Sequence, residues 1–209
     1  MTSLPTAAHI QQALTLENFD PIKAQMKMAP MPRITIRTPE TPGQPRQGEV
    51  LVMLYEKMDQ PHLVLTRRRD DLQSHAGQVS FPGGRREAGE SLQTTAFREA
   101  YEEVGIHPAE LDFLGRLSSL YIPPSDYEVH PFVAWYKNGR PHFIPQESEV
   151  AEILEVPLSH LLDPNTRVEE SWEIRGFQLN VPFYLVSGHK VWGATAMMLS
   201  EFLCRLEKV

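Results

Sequence analysis

Three glutamates, Glu99, Glu102 and Glu103, stand at i, i+3 and i+4 in the stretch Ser91 to Val104. On a helix they project from one face, about one turn apart. Like charges so placed repel, and Glu103 lies near the helix C-terminus, where the macrodipole already disfavours an anion. The arrangement costs stability unless a cation compensates it. Carboxylate oxygens on one rigid face are hard ligands of the kind that Mg²⁺ or Mn²⁺ prefers. The ordinary reading of such a helix is a solvated acidic face with Arg98 paired to Glu102. A glycine turn just upstream, Phe81-Pro82-Gly83-Gly84, favours the metal reading, because tight glycine backbone can aim carbonyls and amides at a metal or phosphate.

The elements around this group follow from pattern. Ser91 is a suitable N-cap and Gly105 a suitable terminator, which predicts a helix over Ser91 to Val104. Short apolar runs at Val50 to Tyr55 and His62 to Thr66 predict buried strands, with a hairpin turn at Asp59-Gln60-Pro61. Gln78 to Phe81 reads as a third strand, halted by Pro82. Further strands are expected over Phe113 to Tyr121, Glu128 to Tyr136, Val150 to Val156, Trp172 to Leu179 and Phe183 to Val186. A short helical turn is expected at Pro157 to Leu162, and a closing helix over Trp192 to Leu206. Strands and helices do not alternate regularly, so the class is α+β, with a mixed sheet between helices. Seven of the eighteen prolines fall in the first 45 residues. Residues 1–48 therefore read as an N-terminal helical arm, Thr6 to Phe19, and a proline-rich linker outside the core; residues 49–209 read as the catalytic domain.

The segment Gly84 to Ile106 resembles the box of the Nudix hydrolase family: Gly, five residues, Glu, seven residues, Arg-Glu, an apolar residue, one residue, Glu-Glu, one residue, Gly and an apolar residue. Gly84, Glu90, Arg98, Glu99, Glu102, Glu103, Gly105 and Ile106 occupy its fixed positions, and Ala100 is mild for its apolar slot. The resemblance implies an α/β/α sandwich and metal-dependent hydrolysis of a diphosphate linked to another moiety. It implies Glu99 and Glu103 as the main metal ligands, Glu102 and the Gly83 carbonyl as additional ones, and Glu90 with Arg98 as a pair bracing the loop against the helix. Metal charge would offset the repulsion between a diphosphate and its attacking water. The general base is not set by the box. Glu147 and Glu149 are the candidates on the loop before Val150, and Glu149 is chosen; an exposed loop acid is the alternative.

Upstream, Leu63 to Arg68, Gly77 and Phe81 to Gly84 resemble the additional signature of the coenzyme A pyrophosphatase subgroup. Arg69 stands where that pattern has Ser or Ala, and Gln73 replaces its second arginine. An amide does not offer phosphate the two-pronged hold of a guanidinium. Arg67, Arg68 and Arg69, with Gln73 at the place of the missing arginine, are the candidates for binding substrate, with solvent-facing strand-end charges as the alternative for Arg67 and Arg69. The substrate implied is coenzyme A or its thioesters, cleaved to 3′,5′-ADP and (acyl-)4′-phosphopantetheine. ADP-ribose, NADH or a nucleoside triphosphate is the alternative, and a non-catalytic nucleotide sensor a second. His75, His130 and His189 have no metal-ligand spacing and read as loop or packing residues.

Composition narrows the partners. Twenty basic against 27 acidic residues give a net charge of −7, which provides no field for nonspecific nucleic-acid binding. No stretch approaches the apolar length of a membrane span. A lone cysteine, Cys204, and an N-terminus without a basic and apolar leader point to the cytoplasm. The partner expected is a small diphosphate, with no nucleic acid and no membrane; oligomeric state is open, a homodimer included.

Overall fold

The structure, a computed structural model, describes residues 4–33 and 45–209. In chain order its elements begin with α1 (Ala7–Leu14), α2 (Pro21–Met26), β1 (Arg46–Lys57), β2 (Gln60–Arg68), β3 (Val79–Ser80), β4 (Gly83–Arg85) and α3 (Leu92–Val104). There follow β5 (Leu111–Arg116), β6 (Leu120–Ile122), β7 (Tyr127–Tyr136), β8 (Val150–Pro157), α4 (Leu158–Leu162), β9 (Arg167–Ile174), β10 (Phe177–Val186), β11 (His189–Trp192) and α5 (Gly193–Leu206).

The layers follow from β1, which is apolar on both faces. Leu51, Met53 and Tyr55 join the cluster under α3 with Ala96, Ala100 and Val104, whereas Val52 and Leu54 join the cluster under α5 with Leu199 and Phe202. A strand buried on both sides must be central and covered twice. The main sheet runs β3-β2-β1-β7-β5, with β4 added to β1, β6 to β7 and β8 to β2. The β1–β7 pair is parallel and the other pairs are antiparallel, so the sheet is mixed and the architecture is the expected α/β/α sandwich. A second, three-stranded sheet, β11-β10-β9, stands beside it. No helix among the described residues is long and apolar enough to cross a membrane.

Several expectations are corrected. The first hairpin turns at Met58-Asp59, both at positive φ, so Gln60 and Pro61 already belong to β2. The strand expected over Trp172 to Leu179 is two strands, divided at Arg175-Gly176, where positive φ on both residues reverses the chain. The strand expected over Phe113 to Tyr121 is broken between β5 and β6, because Ser118 is drawn onto Glu201: its N–H and hydroxyl both donate to Oε1 at 3.1 Å. The first helix, expected to run to Phe19, stops at Leu14 with Thr15 as its cap, and Pro21 instead opens α2 at the N1 position behind an Asp20 cap that accepts from the Lys23 N–H at 2.9 Å.

The reading of residues 1–48 as lying outside the core is also corrected. Ile10, Ala13, Met28 and Ala29 are buried in the same cluster as Phe202 of α5. The contact is polar as well. Glu201, fully buried, takes Arg205 Nε at 3.0 Å and Gln25 Nε2 at 2.8 Å, and Ser200 Oγ donates to the Ala24 carbonyl at 2.7 Å. Arg46 to Gly48, read as linker, form the start of β1; residues 34–44 of that linker lie outside the described residues.

Candidate active site

Two glycines bring strand and helix together. β4 pairs antiparallel with β1, placing Glu49 opposite Gly84 and Val50 opposite Gly83. A Cβ on Gly83, whose φ is +159°, would lie 2.2 Å from the Glu49 carbonyl oxygen; one on Gly84 would lie 2.4 Å from the Glu99 carboxyl carbon. The first glycine thus admits the backbone of β1 and the second admits the Glu99 side chain. α3 supplies the acids from a helix capped by Ser91, which accepts from the Thr94 N–H at 3.1 Å, and closed by Gly105 at φ +78°. Its small residues Ala96 and Ala100 seat it on β1.

Glu103 is buried. It faces Thr66 Oγ1 at 3.5 Å and takes a backbone hydrogen bond from Gly83. Burial pushes its carboxyl up to about 8; Arg68 opposes that shift, and Glu99 and Glu149 add to it. Burial also raises Glu99, against the pull of the Arg98 guanidinium 2.9 Å away. Glu102 is half-exposed and meets Arg98 at 2.9 Å. Glu149, just before β8, meets Arg68 at 3.4 Å. Glu99, Glu102 and Glu149 line one open cleft of about 650 Å³, together with Arg85 at the end of β4 and Arg86 after it.

Arg98 is the hub of the loop. Its Nε and Nη2 grip Glu90 at 2.8 and 3.2 Å, and Nη2 also donates to the Arg85 carbonyl at 3.2 Å. Glu90 accepts from Thr95 Oγ1 as well, and the Arg98 hydrogen bonds, with Thr95 behind them, hold its carboxyl down at about 2. Among the described residues no three acidic, histidine or cysteine side chains converge closely enough to enclose an ion as they stand, since Glu99 and Glu102 both turn to Arg98. The chemistry of the set still fits a hard divalent cation. Every nearby donor is an oxygen, two of the acids hold their protons high, and both oxygens of the buried Glu49 carboxylate have no hydrogen-bond partner.

The other residues singled out in the sequence fall elsewhere. Arg67 is held by Asp70 at 2.5 and 2.7 Å, and Arg69 by Asp71 at 2.8 and 2.6 Å and by the Glu147 carbonyl at 2.8 Å. Gln73 is exposed on the same loop, and neither it nor those two arginines line the cavity of the acids. His75, His130 and His189 are engaged by Gln78, Gln47 and Glu152. Sequence reasoning missed Arg85 and Arg86, although their place immediately after Gly84 was the signal. They also wall a second cavity, of about 310 Å³, with Arg46 and Gln47.

Known proteins resemble this chain in sequence and in fold. A family model described as the NUDIX domain matches residues 45–174. The uncharacterised Nudix hydrolase NudL of Photorhabdus laumondii is 40% identical over 158 residues, covering 75% of this chain and 82% of the relative. Nudix hydrolase 3 of Caenorhabditis elegans is 30% identical over 172 residues, covering 75% and 72%. Among solved structures, a MutT protein from Methanosarcina mazei superposes with a TM-score of 0.53 at 19% identity, covering 81% of this chain and 100% of that one. A MutT/nudix family protein from Enterococcus faecalis gives 0.53 at 14% identity, covering 99% and 75%. With its glycine turn, acid-bearing helix and braced loop in this arrangement, the chain belongs to the Nudix family and is a Nudix hydrolase.

Proposed function

We propose that the enzyme hydrolyses the diphosphate of coenzyme A or acyl-coenzyme A, with Mg²⁺ or Mn²⁺, giving 3′,5′-ADP and (acyl-)4′-phosphopantetheine. The observation that carries the chemistry is the crowding of Glu99, Glu103 and Glu149, whose charges oppose one another beside the Gly83-Gly84 turn. Glu99 and Glu103 would hold the cation, with Glu102 and the Gly83 carbonyl completing its surroundings. A bound cation supplies neutralisation of the diphosphate charge and acidification of water. Glu149 takes the proton of the attacking water: Arg68 holds its Oε2, and Oε1 has no partner among the described residues. Water oxygen then bonds to phosphorus as the bridging P–O bond breaks, and the departing phosphate oxygen leaves as an anion.

Arg85 and Arg86 are proposed to take the substrate's phosphates. They wall both cavities, and among the described residues the Arg85 side chain has no hydrogen-bond or ion-pair partner. The coenzyme A assignment rests on the resemblance of Leu63 to Gly84, with Arg68 at the site and Arg67 and Arg69 beside it. A second reading, ADP-ribose or a related nucleotide, is favoured by the exposed position of Gln73 and by the aspartates that occupy Arg67 and Arg69. The net charge of −7 speaks against a nucleic-acid partner, and the single cysteine accords with the cytoplasm as location. The deciding experiment is a panel of coenzyme A, its dephospho form, ADP-ribose, NADH and nucleoside triphosphates, assayed with Mg²⁺ and Mn²⁺ and read by product mass. Preference for coenzyme A over the dephospho form supports the first reading, and preference for ADP-ribose replaces it with the second.

A further inference from the structure

Glu49 opens the apolar run of β1, on the side of the strand that carries Leu51 and Met53 toward α3. It is 0% exposed, and neither carboxylate oxygen has a hydrogen-bond partner. Register places it directly opposite Gly84, so both positions face the same way. Cβ positions of such cross-strand neighbours lie about 4.5–5.5 Å apart. The space above Gly84 is filled by the Glu99 carboxyl, 2.4 Å from where a Gly84 Cβ would be. Two carboxylates therefore meet over one glycine, Glu99 from the helix and Glu49 from the sheet.

The cations nearby are engaged elsewhere. Arg86 donates its Nε to the Glu90 carbonyl at 2.7 Å, and Arg98 is spread over Glu90, Glu99 and Glu102. His130, the register partner of Glu49 on β7, is bonded to Gln47 at 2.7 Å. A buried carboxylate without a partner, pressed toward a second one, is among the costliest arrangements a core can hold. A divalent cation at Glu99 relieves both costs at once.

We propose that Glu49 is a fourth carboxylate of the metal site, holding from the sheet side the cation, or its water shell, that Glu99 and Glu103 hold from the helix. This rests on the metal-site reading above. The test is Mn²⁺ binding, followed by the electron paramagnetic resonance of free Mn²⁺, in wild type, Glu49→Gln and Glu103→Gln, together with melting in a chelator. Glu49→Gln is expected to weaken Mn²⁺ binding by about tenfold or more, without lowering the metal-free melting temperature. If Glu49→Gln does not fold, Glu49→Asp keeps the charge but draws it back one methylene, and is expected to weaken Mn²⁺ binding as well. Unchanged affinity in the Glu49 variant, with affinity lost in Glu103→Gln, overturns this inference alone. Unchanged affinity in both overturns the metal-site reading and this inference with it.

Discussion

Replacing Glu103 by glutamine is expected to flatten the pH dependence of the metal-free protein's stability. Burial holds the Glu103 carboxyl at about 8 and that of Glu49 at about 7, against 4.5 for an unperturbed glutamate. The unfolded chain gives up these protons near pH 4.5, whereas the folded chain keeps them to about pH 7 or 8, so in that window the folded state binds more protons. Stability is therefore complete below about pH 4.5 and falls as pH rises through the window. One such carboxyl contributes a slope of up to about 1.4 kcal/mol per pH unit, or on the order of 3 kcal/mol between about pH 5 and pH 7. At about 2–4 °C per kcal/mol for a chain of this length, Glu103 alone accounts for a fall in Tm of roughly 6–12 °C. Glu90 and Glu155, held at about 2, act in the opposite sense: their stabilisation is present above pH 4.5 and is lost as pH falls toward 2. The measurement is Tm by scanning calorimetry in a chelator, from about pH 4 to pH 8.5, for wild type and Glu103→Gln. The variant is expected to keep the shallower slope due to Glu49 and Glu99, and saturating Mg²⁺ is expected to flatten the wild-type curve, because a cation favours the charged carboxylates. A wild-type Tm that is constant or rising from about pH 5 to pH 8, or a variant that falls as steeply as wild type, would refute the reasoning.

Four further outcomes are expected. Glu99→Gln and Glu103→Gln each lower kcat by at least about a hundredfold in steady-state assays with Mg²⁺, and activity within a few-fold of wild type removes them from the metal site. Gly84→Ala drives a Cβ to within 2.4 Å of the Glu99 carboxyl, so hydrolysis is lost while the circular dichroism spectrum is kept; unimpaired turnover shows that Glu99 does not act from that position. Arg98→Ala lowers both Tm and activity and Arg98→Lys falls between, since lysine keeps the charge but not the two-pronged grip on Glu90; unchanged Tm with lost activity assigns Arg98 to the substrate. Arg85→Ala lowers kcat/KM on the preferred diphosphate by roughly ten- to a hundredfold, as for a lost charged hydrogen bond, whereas Gln73→Arg changes it by no more than about twofold. A tenfold gain in Gln73→Arg returns that position to the substrate.

The acid-bearing helix was legible because its signals are local: Ser91 and Gly105 cap it as read, and the double glycine before it marks the close approach that the structure contains. The Glu90–Arg98 pair was expected from the family resemblance, and it sits at 2.8 Å. What escaped depends on long-range or competing contacts. Arg67 and Arg69 looked free to bind phosphate, yet Asp70 and Asp71, close by in sequence, capture them; that capture was open to reading from spacing alone. Glu49 was passed over as the edge of an apolar run, because only strand register places it against Gly84 and Glu99. The prolines of the arm suggested exclusion from the core, but Pro21 begins a helix that reaches Glu201, a partner no local pattern could name.

The clasp between Gln25 and Glu201, 176 residues apart, sets an order of events during synthesis. α5 follows all the other described elements along the chain, and until it has been made and docked, the face of β1 carrying Val52 and Leu54 and the apolar sides of α1 and α2 lack that cover. At about 5–20 residues per second, the stretch from the end of β1 to the end of α5 takes roughly seven to thirty seconds to make, and the half-covered condition lasts that long. The α3 side can close earlier, since β1, α3 and β7 are all made by Tyr136. The acids of the proposed metal site can thus gather on a sheet with one layer missing, and the docking of α5, whose Arg205 reaches the Ala13 and Leu14 carbonyls at 3.4 and 3.5 Å, supplies that layer.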